Sequence, residues 1–208
     1  MAEGLTDVDI CSLALKSIGS KPIQSFTDQS NSAQLLALMY PVTRDAVLKS
    51  FRWKFAIKRQ GLALTSYQPF QFKQVRLELP TGRWAFALPD DYLAMIETDQ
   101  DPSPYKIESF VTNTQTNAQQ LILLTDNQTI GIRYVSRITN PNLFDPIFIL
   151  ALAARIARDI ALPETGDLAK LKSMDELYKE KIAEARFQGS IEDSEDTLLA
   201  TYFTTDTR

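Results

Sequence analysis

Apolar positions near the start of the chain recur every three or four residues. Val8, Cys11, Leu15 and Ile18 fall on one face of a helix. Asp7 in front of them is a fitting N-cap, and Gly19 behind them supplies a stop. Cys11 lies on that stripe and reads as a small buried hydrophobe. A second helical stretch covers about 31–50, with Leu35, Leu36, Leu38, Met39 and Val47 as its apolar content. Pro41 should kink or split it, because proline removes a backbone donor.

From about residue 54 to 137 the period shortens. Aromatic and β-branched segments at 84–88, 92–96, 106–111, 121–124 and 130–135 alternate with turn residues, among them Pro80-Thr81-Gly82, Asp101-Pro102-Ser103-Pro104 and 113–117. With no helical pattern between them, the segments predict antiparallel pairing. The spacer Asp126-Asn127-Gln128 reads as a hairpin loop between two of them.

Helical periodicity returns after Pro141. Phe144, Ile147, Phe148, Ala151 and Ile156 form one face, while Ile149, Leu150, Leu152 and Ala153 fill much of the remainder. A helix apolar nearly all round is expected at the centre of its bundle. Pro163 and Gly166 predict a corner, and a last helix begins near Asp167 with Leu168, Leu171, Met174, Tyr178, Ile182 and Ala185 along one side. The expected fold class is therefore α+β: a helical bundle from N- and C-terminal helices with an inserted antiparallel β-rich domain. The boundaries are 1–54 and 141–187 for the two helical parts, 55–140 for the insertion and 188–208 for a flexible C-terminal docking tail. That tail holds five acids and only Arg208 as a base, yet it carries Leu198, Leu199, Tyr202 and Phe203. Purely solvating tails seldom hold such anchors, so these four are expected to dock on a partner.

Composition narrows the chemistry. The 208 residues contain no histidine, one cysteine and seven glycines. Serine–histidine and cysteine–histidine nucleophiles, imidazole metal ligands and internal disulfides are thereby excluded. No two glycines are close enough for a phosphate-cradling loop. The net charge of -4 is a poor match for nucleic acid or an anionic membrane. No signal peptide or membrane span is expected, which points to synthesis in a cytoplasm. Asp90-Asp91 after Pro89 reads as a turn, with a carboxylate pair for acid–base work as the sharper alternative. Arg52, Lys54, Lys58 and Arg59 interleave with Phe51, Trp53 and Phe55, a pattern open to nucleic-acid binding. Core aromatics with solvated charges are the plainer reading.

A longer string of motifs runs through the same regions. It begins Ala14-Leu15-Lys16-Ser17-Ile18-Gly19, then Pro22-Ile23, Phe26-Thr27-Asp28, Ala33, Tyr40-Pro41, Arg44-Asp45, Leu48, Trp53-Lys54-Phe55-Ala56, Arg59 and Leu62. It ends with residues 84–93, Trp84 to Leu93, and a two-helix terminus from Phe144 to Arg186. In order and spacing this resembles the tail tubular protein A family, the head-to-tail adaptors of short-tailed, podovirus-like bacteriophages. The resemblance covers most of residues 6–187. It implies a virion protein that forms a homo-oligomeric ring of twelve copies between the portal protein and the tail nozzle protein, with DNA passing through the channel. It implies no catalytic residue, no cofactor, no metal and no membrane. Two alternatives of other classes stay open: a tail-associated glycan hydrolase using Asp90 or Asp91, and a DNA-binding packaging accessory using Arg52 to Arg59.

Overall fold

In a computed structural model the backbone is described for residues 4–65, 84–100, 104–113 and 118–205; side chains are described over the same ranges except at 111–113, 118 and 191–205. The turns expected at 80–82, 101–103 and 114–117 lie outside them. The described residues form four α-helices and two small three-stranded antiparallel sheets, a mixed α+β protein. The chain divides into two compact units, one of residues 1–56 with 138–208, the other of residues 57–137.

In the first unit, α1 spans Asp7–Ile18 and α2 spans Asn31–Lys49. Thr6, not Asp7, is the N-cap of α1. Its hydroxyl accepts from Asp9 N (3.2 Å), while the Asp9 carboxylate accepts from Thr6 N (2.9 Å), closing a reciprocal capping box. Asp7 is used elsewhere: its carboxylate accepts from the Tyr40 hydroxyl at 2.6 Å and ties α1 to α2. Gly19 ends α1 at φ 82°, a left-handed conformation that suits glycine. Pro41 does not split α2, which is helical throughout. Pro41 lies on the exposed face, where water can serve the Ala37 carbonyl that loses its intrahelical donor.

Helix α3 spans Pro146–Thr165 and is capped by Asp145, whose carboxylate accepts from Ile147 N at 2.7 Å. Gly166, at φ 67°, ends it. As its all-round apolar character leads one to expect, α3 packs against α1, α2 and α4 (Leu168–Thr205). Polar clips fix these contacts. Ser32 donates to Glu164 at 2.9 Å, and Arg158 reaches both Asp159 on its own helix and Asp175 on α4. The guanidinium groups of Arg155 and Arg158 both lie over the Tyr178 ring, 5.3 and 5.4 Å from its centroid. Near the start of α3, the Phe148 ring meets Trp53, Phe55 and Phe144, each at a centroid distance of 5.0 Å. All three contacts are edge-on, the favoured aromatic geometry.

In the second unit, sheet 1 has the order β1 (Ile57–Gly61), β6 (Gly131–Ser136), β3 (Tyr92–Thr98), and sheet 2 the order β2 (Trp84–Ala87), β5 (Ala118–Thr125), β4 (Tyr105–Asn113). The chain passes from one to the other directly after β1. Leu62 N donates to Ile130 O at 2.9 Å, and three residues later Thr65 N donates to Ala85 O at 2.9 Å. The spacer at 126–128 is likewise a crossing between sheets and not a hairpin loop, because β5 pairs with β2 and β4 whereas β6 pairs with β1 and β3. Burial explains the difference. Leu123 and Phe86 of sheet 2 form one apolar cluster with Ile132 and Tyr134 of sheet 1, so these strands meet face to face. Ile122, Leu124 and Ala85 are buried in a separate cluster with Phe110 against it, which is why β5 reads as a continuous apolar run.

Replacing Phe148 by alanine removes the shared partner of three rings from a fully buried position. The expected loss is about 3–5 kcal/mol in urea unfolding followed by tryptophan fluorescence, since Trp53 sits in the same cluster.

Candidate functional site

The residues singled out for partner docking lie on the last helix. Asp167 starts α4 by accepting from Ala169 N at 2.7 Å. Met174, Ile182 and Ala185 are then buried, with Leu171 before them and Tyr178 among them half-buried. Two further contacts hold α4 to the start of the chain. Arg186 donates to the Ser50 carbonyl at 3.2 Å, and a Cβ at Gly189 would stand 3.0 Å from the Phe51 ring. The helical backbone does not stop at 187 but continues to Thr205. Leu198, Leu199, Tyr202 and Phe203 are thus on a helix, and at 100° per residue their positions share a sector of about 140°. Their side chains lie outside the described residues. Phe187, which is described, is 67% exposed. It lies two residues beyond Ala185 and so points well away from the buried stripe; positions 191, 198 and 202 follow it along the same side.

A second apolar face is on α2. Ala33, Leu36, Tyr40, Val47 and Leu48 turn inward, and Leu38 and Val42, one turn apart, are 76% and 70% exposed. Ala37, Pro41 and Ala46 are exposed beside them. Leu38 therefore does not belong to the core content that the periodicity of α2 suggests. Its distance from the buried stripe on a helical wheel is the signal that separates the two. Exposed apolar side chains grouped in this way mark surfaces that other molecules cover.

The two aspartates considered for catalysis do not face each other as a working pair. One oxygen of Asp91 accepts from Lys58 Nζ at 2.5 Å, the other from the Tyr134 hydroxyl at 2.9 Å. Burial raises the Asp91 pKa, but the hydrogen bonds from Lys58 and Tyr134 and the Lys58 charge outweigh it and leave the pKa below the ordinary value. The Tyr134 phenol is shifted upward by burial and by its bond to that carboxylate. With both oxygens engaged and the ionised form favoured, Asp91 is suited to holding β1 to β6 and poorly suited to donating a proton. Asp90 contributes its backbone carbonyl to Arg137 at 3.3 Å.

The basic segment is also divided. Trp53 is buried, donating from Nε1 to the Val47 carbonyl at 3.0 Å, and Phe55 packs on Phe148. Arg52 is exposed in the helical unit, whereas Lys58 and Arg59 belong to the sheet unit, with Lys58 bound to Asp91. The described residues contain no group of three or more acidic or cysteine side chains placed to hold a metal ion. No helix among them is long and apolar enough to cross a membrane. Cys11 is fully buried, and burial, with the Asp7 charge adding to it, pushes its thiol up to about 12.

Two outcomes follow for solution work. Asp91→Asn should lower stability by about 1–3 kcal/mol at neutral pH, because Lys58 and Tyr134 lose a charged acceptor. A depressed carboxylate pKa stabilises the fold above the ordinary value of 3.8 and loses that effect as pH falls through the folded pKa. Urea titrations at pH 7 and pH 3 should therefore show the gap between wild type and variant narrowing in acid. Cys11 should resist a thiol reagent such as dithionitrobenzoate in the native protein and react only after unfolding.

Compared with known proteins, the chain matches no protein-family model and no curated protein.

Proposed function

We propose that this chain is a structural head-to-tail adaptor of a short-tailed bacteriophage, set in the virion as a ring between portal and tail nozzle. The architecture it would use is a helical bundle made from both ends of the chain with the sheet unit as an insertion. The observation that carries the reading is α4. Among its described side chains, which reach residue 190, the last buried one is Ala185, and the helical backbone runs on from there for some 20 residues, about 30 Å at the usual rise. That extension starts with an exposed phenylalanine and includes four large apolar residues. A helix that carries such apolar residues among acidic ones suits docking into a partner's groove.

Other features fit the same reading. The exposed Leu38–Val42 face of α2 offers surface for contact between neighbouring copies. The net charge of -4 disfavours adhesion of the chain to a passing DNA backbone. The reading assigns no catalytic residue, cofactor or metal. In it, Asp91 has a structural task, and the segment from Arg52 to Arg59 supplies core aromatics and local ion pairs.

Truncation after Gly189 tests the docking role of Leu198, Leu199, Tyr202 and Phe203. The shortened chain should lose only the helical signal of residues 190–205 and keep its thermal transition, but lose most of its affinity for purified portal protein in a pull-down or calorimetric titration. Unchanged portal affinity would remove the C-terminal helix from the interface.

A further inference from the structure

The helical unit holds a small pocket of about 270 Å³ against α4. Trp53, Phe55 and Phe144 line it, with Leu143, 57% exposed, beside them. Ala185 and Gly189, one turn apart on α4, complete the lining and are too small to fill the space. Lys54 and Asp145 add one charge of each sign, and the Asp145 carboxylate is already engaged by Ile147 N. The lining is therefore neutral and largely aromatic, and it calls for an uncharged occupant. Protein interfaces commonly receive a single aromatic anchor in a pocket of this kind.

Phe187 is an anchor of that chemistry, an aromatic ring 67% exposed on the same helix. At 100° per residue, Ala185 and Gly189 each lie about 160° from Phe187 around the axis of α4. The ring thus points away from the pocket of its own chain. A ring and a pocket on opposite sides of one helix cannot both face the same neighbour. A copy that offers Phe187 to one neighbour offers its pocket to another, and such a heterologous contact builds a ring or a filament instead of a closed pair.

The charges that surround the two elements match as well. The segment 49–55 that brings Trp53 and Phe55 to the pocket carries Lys49, Arg52 and Lys54 and no acid. In the three turns before Phe187, the exposed Glu176, Glu180 and Glu184 lie within about 60° of it around the helix. Lys181 offsets part of their charge, at 3.0 Å from Glu184 and 3.4 Å from Glu180, and leaves an excess of acid. Opposite signs on the two faces favour their meeting. We propose that Phe187 of one copy of this chain seats in the pocket of Trp53, Phe55 and Phe144 of the next copy. This rests on the self-assembly in the reading above, names the contact that joins the copies, and leaves the apolar residues beyond Gly189 to the portal.

Sedimentation velocity on the full chain at low ionic strength tests it. The wild type should associate with rising concentration into species larger than dimers. Phe187→Ala removes the anchor and Leu143→Glu places a charge beside the pocket; both positions are exposed, so each variant should keep the wild-type circular dichroism. Each should weaken self-association by about tenfold or more. An equal mixture of the two should form dimers and go no further, because one variant supplies only an intact pocket and the other only an intact anchor. Added salt should weaken the wild type. A wild type that stays monomeric at millimolar concentration, or that stops at dimers, would overturn the inference, as would variants that associate normally or a mixture no better than its parts. Portal affinity enters none of these readouts, so the adaptor reading is judged separately.

Discussion

Helix α3 buries Phe148, Ala151, Leu152, Ala153, Ala154, Ile156, Ala157, Ile160 and Ala161, side chains that point in nearly every direction from its axis. Such a helix can be kept from water only if others surround it, and at about 25 cal/mol per Å² of buried apolar surface the driving force is large. The helices that meet this demand are α1 and α2 from the beginning of the chain and α4 from its end. The small side chains of α3 permit close approach, while Phe148 fills the wider space at its start together with Trp53, Phe55 and Phe144. Residues far apart in sequence are thereby held in one unit, and residues 57–137 form a separate one.

Much of the helical unit is legible in the sequence because helices announce themselves locally. A 3.6-residue period, a capping oxygen and a glycine stop lie within a few positions of one another, as with Gly19 and Gly166. The cap of α1 is legible only with care, since Thr6 and Asp7 are both good caps; the reciprocal bond from Asp9 decides for Thr6. Sheet pairing is harder to read, because the partner strand is remote. The strand β1, Ile57–Gly61, carries almost no apolar side chains and is mostly exposed, so it has no alternation to detect. It exists through its ladder to β6. The crossing at 126–128 fails as a hairpin for a related reason: turn residues say that the chain reverses, not which sheet it enters.

Candidate sites follow the same division. The apolar anchors near the C-terminus stand out in sequence because their acidic surroundings make them anomalous. Leu38 and Val42 do not stand out, because a leucine in a helical stretch reads as core until its neighbours are known. Asp91 shows the converse. Two adjacent aspartates invite a chemical role, but Lys58 and Tyr134, 33 and 43 residues away, occupy both oxygens. The pocket beside Phe55 and Phe144 is visible only once the fold brings residues 53–55, 143–145 and 185–189 together.

The adaptor reading makes one demand that no local feature can replace: copies of this chain must close into a ring. Negative-stain electron microscopy of the full chain mixed with purified portal protein addresses that demand directly. The account predicts annular particles seated on one end of the portal, with an open central channel. Portal images unchanged by excess protein, beside unassembled single chains, would contradict it.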